Sequence, residues 1–173
     1  MSAASNAEER RPLGWRCSTC GALVTGIEDG CVEWLAGEDE QGSTRLRGLR
    51  LVHNLTSSPR RERQGCQYDP QREFHKDQSI VESLSLERFV GPDGLMLLLS
   101  FIALQEMPMD EVLELAKRVQ IPGYEQVREL LHSAIVGGVV SPVIGDGFYT
   151  QSEIQDLLRW ADNVVASPDE PAA

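Results

Sequence analysis

The side chains of this chain best suited to chemistry are its cysteines and histidines. Cys17 and Cys20 are separated by two residues in "RCSTCGALV", with Gly21 directly after. Three chemistries fit such a pair. A redox couple needs a thiolate at a helix start inside a βαβ unit. The flanking "GALVTGIEDG" is turn-rich and carries no helical stripe, so that unit is missing. A coincidental pair in a turn needs nothing further. Metal ligation fits best, because two thiolates at this spacing can face one ion while the glycine lets the chain turn tightly and point amides at the sulfurs. A closed structural site takes four ligands. The remaining candidates are Cys31, His53, Cys66, His75 and His132.

"CSTCG" resembles the knuckle of zinc ribbons and related small zinc modules, and the resemblance implies a structural Zn2+. His53 ends an inward-facing strand stripe, and Cys66 lies in "QGCQYD", a turn in a segment that otherwise lacks an anchor. The expected ligand set is therefore Cys17, Cys20, His53 and Cys66. A zinc ribbon has a second close-spaced knuckle, whereas twelve residues separate His53 from Cys66 here. Cys31 accordingly stays open as a replacement for His53 or Cys66, although a mid-strand cysteine is more often a packed thiol. His75 reads as a solvated loop residue and His132 as a surface or packing residue on a helix. The expected role of the ion is folding, because a module of roughly fifty residues with few aromatics is near the limit of a self-supporting core.

These residues need elements to position them. "CVEWL" alternates, with Val32 and Trp34 on one face and Cys31, Glu33 and Leu35 on the other. "RLRGLRLVH" places Leu49, Leu51 and His53 together, which predicts a β-hairpin ending in the histidine. Residues 54–79 hold few apolar side chains and read as a long loop. "SIVE" fits a capping box, with Ser79 as cap and Glu82 reaching back, and predicts a connecting helix. "GPDG" opens a second helix in which Leu95–Leu104 is apolar almost all round, predicting the core element. "MDEVLELAKRVQ" follows, with acids in its first turn and Lys117 and Arg118 in its last. A helix from near Pro122 stops at Gly137 and Gly138. "VVSPVIGDGFYT" predicts a hairpin, and "TQSE" caps a last helix at Thr150.

The expected fold class is α+β: a small zinc-stapled β module followed by a mainly α-helical domain with a β-hairpin. The order helix, helix, helix, hairpin, helix over residues 91–162 is similar to a winged-helix domain. The helix that would read a major groove departs from that pattern, carrying Glu125 and Glu129 against Arg128 alone. The expected organisation is a flexible tail at 1–13, the zinc module at 14–66, a linker and connecting helix at 67–90, the winged-helix-like domain at 91–162 and a second tail at 163–173.

The 173 residues carry a formal net charge of −11, unevenly spread. Residues 1–79 hold eleven Lys/Arg against twelve Asp/Glu, and residues 80–173 hold five against fifteen. The acidic part repels phosphate backbones. The one basic patch comprises Arg45, Arg47, Arg50, Arg60, Arg61 and Arg63. The first sixteen residues lack an apolar segment and Leu95–Leu104 is too short to cross a bilayer, so the expected location is cytoplasmic, with no membrane contact and free thiols. No nucleophile elbow, phosphate loop or paired metalloprotease histidines occur, which argues against an enzyme. The expected function is that of a small adaptor or regulatory protein whose partner is another protein. The hairpin near Gly145–Phe148 and the aromatic residues Phe148, Tyr149 and Trp160 are candidate contacts. The alternative is a nucleic-acid-binding regulator using the Arg45–Arg63 patch.

Overall fold

The computed structural model describes residues 14–39, 41–63, 65–140 and 147–166. The fold is α+β, and the chain divides into two compact units, Met1–Gln120 and Ile121–Ala173. The strands are β1 (Trp15–Arg16), β2 (Leu23–Val24), β3 (Gly30–Glu38), β4 (Thr44–His53) and β5 (Ile80–Ser85). The α-helices are α1 (Pro70–Asp77), α2 (Gly91–Leu104), α3 (Met109–Gln120), α4 (Tyr124–Val127), α5 (Leu131–Val136) and α6 (Gln151–Ala166). Single 3₁₀ turns lie at Ile27–Asp29, Arg61–Arg63 and Leu86–Phe89.

The expected hairpin is present and sets the first unit. β3 and β4 pair antiparallel, with Val32 opposite Leu51 and Glu33 opposite Arg50. The register shifts between Glu33 and Leu35, a bulge that puts Gly48 and Leu49 of β4 against one residue of β3. β5 closes the other side, so β3 is central in the order β4-β3-β5. A central strand covered on both faces loses its burial alternation: Cys31, Val32, Glu33, Trp34 and Leu35 are all buried. The separate β1–β2 pair sets Trp15 opposite Val24 and holds the Cys17–Cys20 turn between its strands.

Two expected elements exchange places. The segment 54–79 contains α1, because Asp69 accepts hydrogen bonds from the amides of Gln71 and Arg72 while Pro70 occupies the first turn. The helix expected from Ser79 is instead strand β5. Glu82 does not reach back to a cap; its carboxylate accepts from Trp34 Nε1 at 2.8 Å, a cross-strand contact on β3. "IVESLS" reads equally well as alternation, and pairing with β3 decides it.

The expected core helix α2 is not the core. Only Gly94 and Leu98 of α2 are fully buried, while Leu95, Met96, Leu99 and Leu104 are exposed. The centre is formed by Val32, Trp34, Leu51 and Val52 of the sheet, Leu86 and Phe89 of a 3₁₀ turn, and Leu98, Val112 and Leu115 from α2 and α3. Phe101 meets Trp34 edge-on at 5.5 Å. α3 binds the sheet through the Glu111 carboxylate, which accepts from the Leu49 amide at 2.6 Å. These contacts put α2 and α3 in the first unit, so the chain divides at residue 120 and not near 91 as expected.

The second unit has its own core of Tyr124, Val127, Leu131, Ala134, Ile154 and Leu157. The helix expected from Pro122 to Gly137 breaks into α4 and α5, where the Leu130 amide bonds Val127 at i−3 and tightens the turn. The capping box at Thr150 forms, with Glu153 Oε2 accepting from the Thr150 amide at 2.6 Å. Helix α6 runs to Ala166, past the expected start of the tail. Residues 1–13, 167–173 and 141–146, the last being half of the expected hairpin, lie outside the described residues. Tyr149 and Trp160 pack against the second core, and Phe148 is exposed.

The seam between the 3₁₀ turn and α2 depends on Gly94. A Cβ there would sit 2.1 Å from the Phe89 carbonyl carbon. Gly94→Ala should therefore cost about 2 kcal/mol in urea unfolding, whereas Met96→Ala, on the exposed face of the same helix, should stay within about 0.5 kcal/mol. Equal midpoints for the two variants would show that the seam yields freely.

Candidate metal centre

The four expected ligands come from three separate parts of the chain. Cys17 and Cys20 lie on the turn between β1 and β2, closed by the Gly21 amide donating to Cys17 O at 2.9 Å. The Ser18 amide donates to Leu51 O at 2.8 Å, which fastens the turn to β4. Arg118 in the last turn of α3 is buried, donates to Arg16 O and Ser18 Oγ and braces the same turn. His53 ends β4. Cys66 sits on the loop after it, with Thr19 Oγ1 donating to Cys66 O at 2.6 Å and Ser58 Oγ donating to Cys66 Sγ at 3.1 Å.

The structure brings Cys17, Cys20, His53 and Cys66 together, with one ligand atom from each and all four within 4.8 Å of one another. His53 Nδ1 is 3.6 Å from Cys20 Sγ and 3.8 Å from Cys66 Sγ. Bonds of about 2.3 Å to sulfur and about 2.0–2.1 Å to nitrogen put the S···N edge of a tetrahedron at about 3.6 Å. The spacing fits a shared ion. The ring is also correctly turned. Nε2 lies 3.1 Å from Leu23 O, which can only accept, so Nε2 carries the hydrogen and the Nδ1 lone pair faces the sulfurs.

The electrostatics agree with the geometry. Burial works to raise the Cys17 thiol, but the amides of Cys20, His53 and Thr19 outweigh it and bring it down to about 6. Cys66 is pushed the other way, up to about 11, by burial and by the Cys20 and Cys17 sulfurs beside it, against the Ser58 hydroxyl. Cys17 and Cys66 are thus driven in opposite directions, and a bound cation would favour the ionised form of both. Cys17, His53 and Cys66 are buried and Cys20 is half-buried. The group can hold a metal ion.

Cys31 is not part of this group. Its Sγ accepts from Gln67 Nε2 at 3.3 Å, and burial followed by the nearby Glu33 carboxylate pushes its thiol up to about 12. It is a packed thiol. His75 and His132 are both exposed.

Sequence reading missed the support of Cys66. Glu33 is fully buried on β3, and Arg50, its register partner on β4, approaches it at 2.7 Å. Both Glu33 oxygens accept from the Tyr68 amide at 3.0 Å. Arg50 Cζ lies 3.4 Å from the Tyr68 ring centroid, and its Nη2 donates to Cys66 O at 3.4 Å. Placing Glu33 and Arg50 opposite each other in the hairpin was the available signal.

The chain matches no protein-family model, no curated protein and no solved structure. The role of the site therefore rests on its own geometry.

Because Cys66 holds its proton at neutral pH, metal binding should release at least one proton per ion, seen by calorimetry in buffers of different ionisation enthalpy. Affinity should then fall about tenfold for each unit the pH is lowered, per proton released. Binding without proton release would place Cys66 outside the site. Cys66→Ser should lower Tm by more than about 10 °C and open residues 54–69 to protease, with helix content retained. Cys31→Ala should keep full metal stoichiometry.

Proposed function

We propose that the protein is a small regulatory adaptor that carries a structural zinc ion and acts by contact with another protein. Three thiolates and one imidazole form a soft donor set that favours zinc over hard cations such as Mg2+ or Ca2+. Four protein ligands leave no coordination position for a water molecule, so the ion serves folding and not hydrolysis.

The observation that carries the adaptor role is the outer face of α2. Leu95, Met96, Leu99 and Leu104 are between 42% and 66% exposed. Leu95, Met96 and Leu99 share one helical stripe. A contiguous apolar face of this kind on a folded unit is characteristic of an interaction surface. An acid borders it: Asp93 is exposed one turn before Met96. With a net charge of −11 on the chain, the complementary partner presents apolar anchors flanked by Lys or Arg.

The nucleic-acid alternative has less support. Arg45 faces Asp39 at 3.9 Å, Arg47 pairs with Asp77, and Arg50 is committed to Glu33. Arg60 and Arg61 are exposed on the loop, and the Arg63 side chain is outside what the structure describes. Among the described residues, no helix is long and apolar enough to cross a membrane.

Met96→Glu with Leu99→Glu should abolish co-purification of a nuclease-resistant partner at about 150 mM salt and leave bound metal unchanged. A partner retained by this variant would move the contact elsewhere. Nucleic acid as the sole companion, lost steeply with added salt, would favour the alternative.

A further inference from the structure

We propose that Glu33, Arg50 and Tyr68 form a latch that controls release of the bound ion by holding Cys66. The proposal rests on the structural-metal reading and assigns the control of that site to residues that are not ligands.

The four ligands are not equally secured. Cys17 and Cys20 sit in a turn clamped by β1, β2 and the bond to Leu51. His53 belongs to a ten-residue strand. Cys66 lies in neither strand nor helix. The loop bearing it is fixed at its start, where the Asn54 amide donates to Asp29 O at 2.8 Å. It is fixed at its end by residue 68. A chelated ion leaves only when a ligand lets go first, and the loop-borne ligand meets the least backbone resistance. Cys66 is therefore the departure point, and whatever holds residues 65–69 sets how often it departs.

The latch holds that stretch at two points. Two residues past Cys66, the Tyr68 amide donates to both oxygens of a carboxylate that is fully buried on the central strand. The Tyr68 hydroxyl donates to Gly48 O at 3.1 Å, within the β4 bulge. Arg50 connects the parts, since it touches the Glu33 carboxylate, the Tyr68 ring and the Cys66 carbonyl. Hydrogen bonds to a buried carboxylate are among the stronger kind, and groups outside the ligand shell commonly change metal binding by about 10–100-fold.

The test loads the full chain with Co2+, whose absorption reports a tetrahedral sulfur-rich site, and follows transfer to excess chromogenic chelator. Arg50→Met and Tyr68→Leu should keep the Co2+ spectrum and release the ion about tenfold faster or more. Tyr68→Phe, which keeps the stack and the amide bond, should release within about threefold of the unaltered protein. Leu98→Ala, destabilising in the same core without touching the latch, controls for general loosening and should release within about twofold. Should Arg50→Met fail to fold, Tyr68→Leu and the charge-free pair Glu33→Gln with Arg50→Met carry the test. Release from folded latch variants at the unaltered rate would overturn the latch, and so would equal acceleration by Leu98→Ala. Failure of the unaltered protein to bind one Co2+ would overturn the metal reading itself, before any variant is compared.

Discussion

The first unit depends on one constraint: three sulfurs and an imidazole nitrogen must share a space only 4.8 Å across. Left without a cation, that arrangement lets Cys17 ionise and keeps the proton on Cys66, because a second negative sulfur beside the first is disfavoured in a buried site. With a cation the same crowding becomes attraction, and it ties the first turn of the unit to the end of β4 and to the loop beyond. The surrounding hydrogen bonds follow from this requirement. Leu23 O orients the imidazole, Thr19 and Ser58 position Cys66, and Arg118 reaches from α3 to hold the cysteine turn.

A buried ion pair beside such a site is a costly device. Removing Glu33 wholly and Arg50 partly from water carries a desolvation penalty that their mutual attraction only partly offsets, and an apolar pair of similar volume is often as stable. Burial accordingly pushes the Glu33 carboxyl up, opposed by the Tyr68 amide and the Arg50 guanidinium. What apolar side chains cannot supply is direction. A carboxylate accepts the Tyr68 amide at a fixed place, and a guanidinium can satisfy a carboxylate, an aromatic face and a carbonyl together. The pair makes sense as a device for placing the Cys66 loop more than for adding stability.

The hairpin, α3, the last helix with its Thr150 cap and the α+β class were legible because each is specified locally. Alternation gave β3 and β4, charge placement gave α3, and a capping box gave α6. The knuckle was legible for the same reason, since two thiols and a glycine fall within five residues. What was not legible depends on partners distant in sequence. "SIVE" satisfies a capping pattern and a strand pattern alike, and only β3, some fifty residues earlier, selects the strand. The cap formed by Asp69 and Pro70 was a local signal, overlooked because the surrounding segment is polar. Alternation placed Glu33 on the face of Cys31 and Leu35, but nothing local showed that Arg50 and the Tyr68 amide would hold its carboxylate there.

The apolar run of α2 shows the opposite failure. Hydropathy records that Leu95–Leu104 avoids water, but not what excludes the water. In this unit the sheet needs only one narrow side of α2, through Leu98 and Phe101, and Gly94 draws its first turn against Phe89. The remaining leucines and methionines are surplus to the core. This changes what the metal must do. A fifty-residue module would need the ion to fold at all, but a sheet backed by α2 and α3 has a core of its own. In the proposed reading the ion fastens to that core the cysteine turn and the polar loop from Asn54 to Asp69, which join it mainly through Cys17 and Cys66. In that reading the ion orders one end of the unit, while the exposed face of α2 is shaped by the packing of Gly94, Leu98 and Phe101.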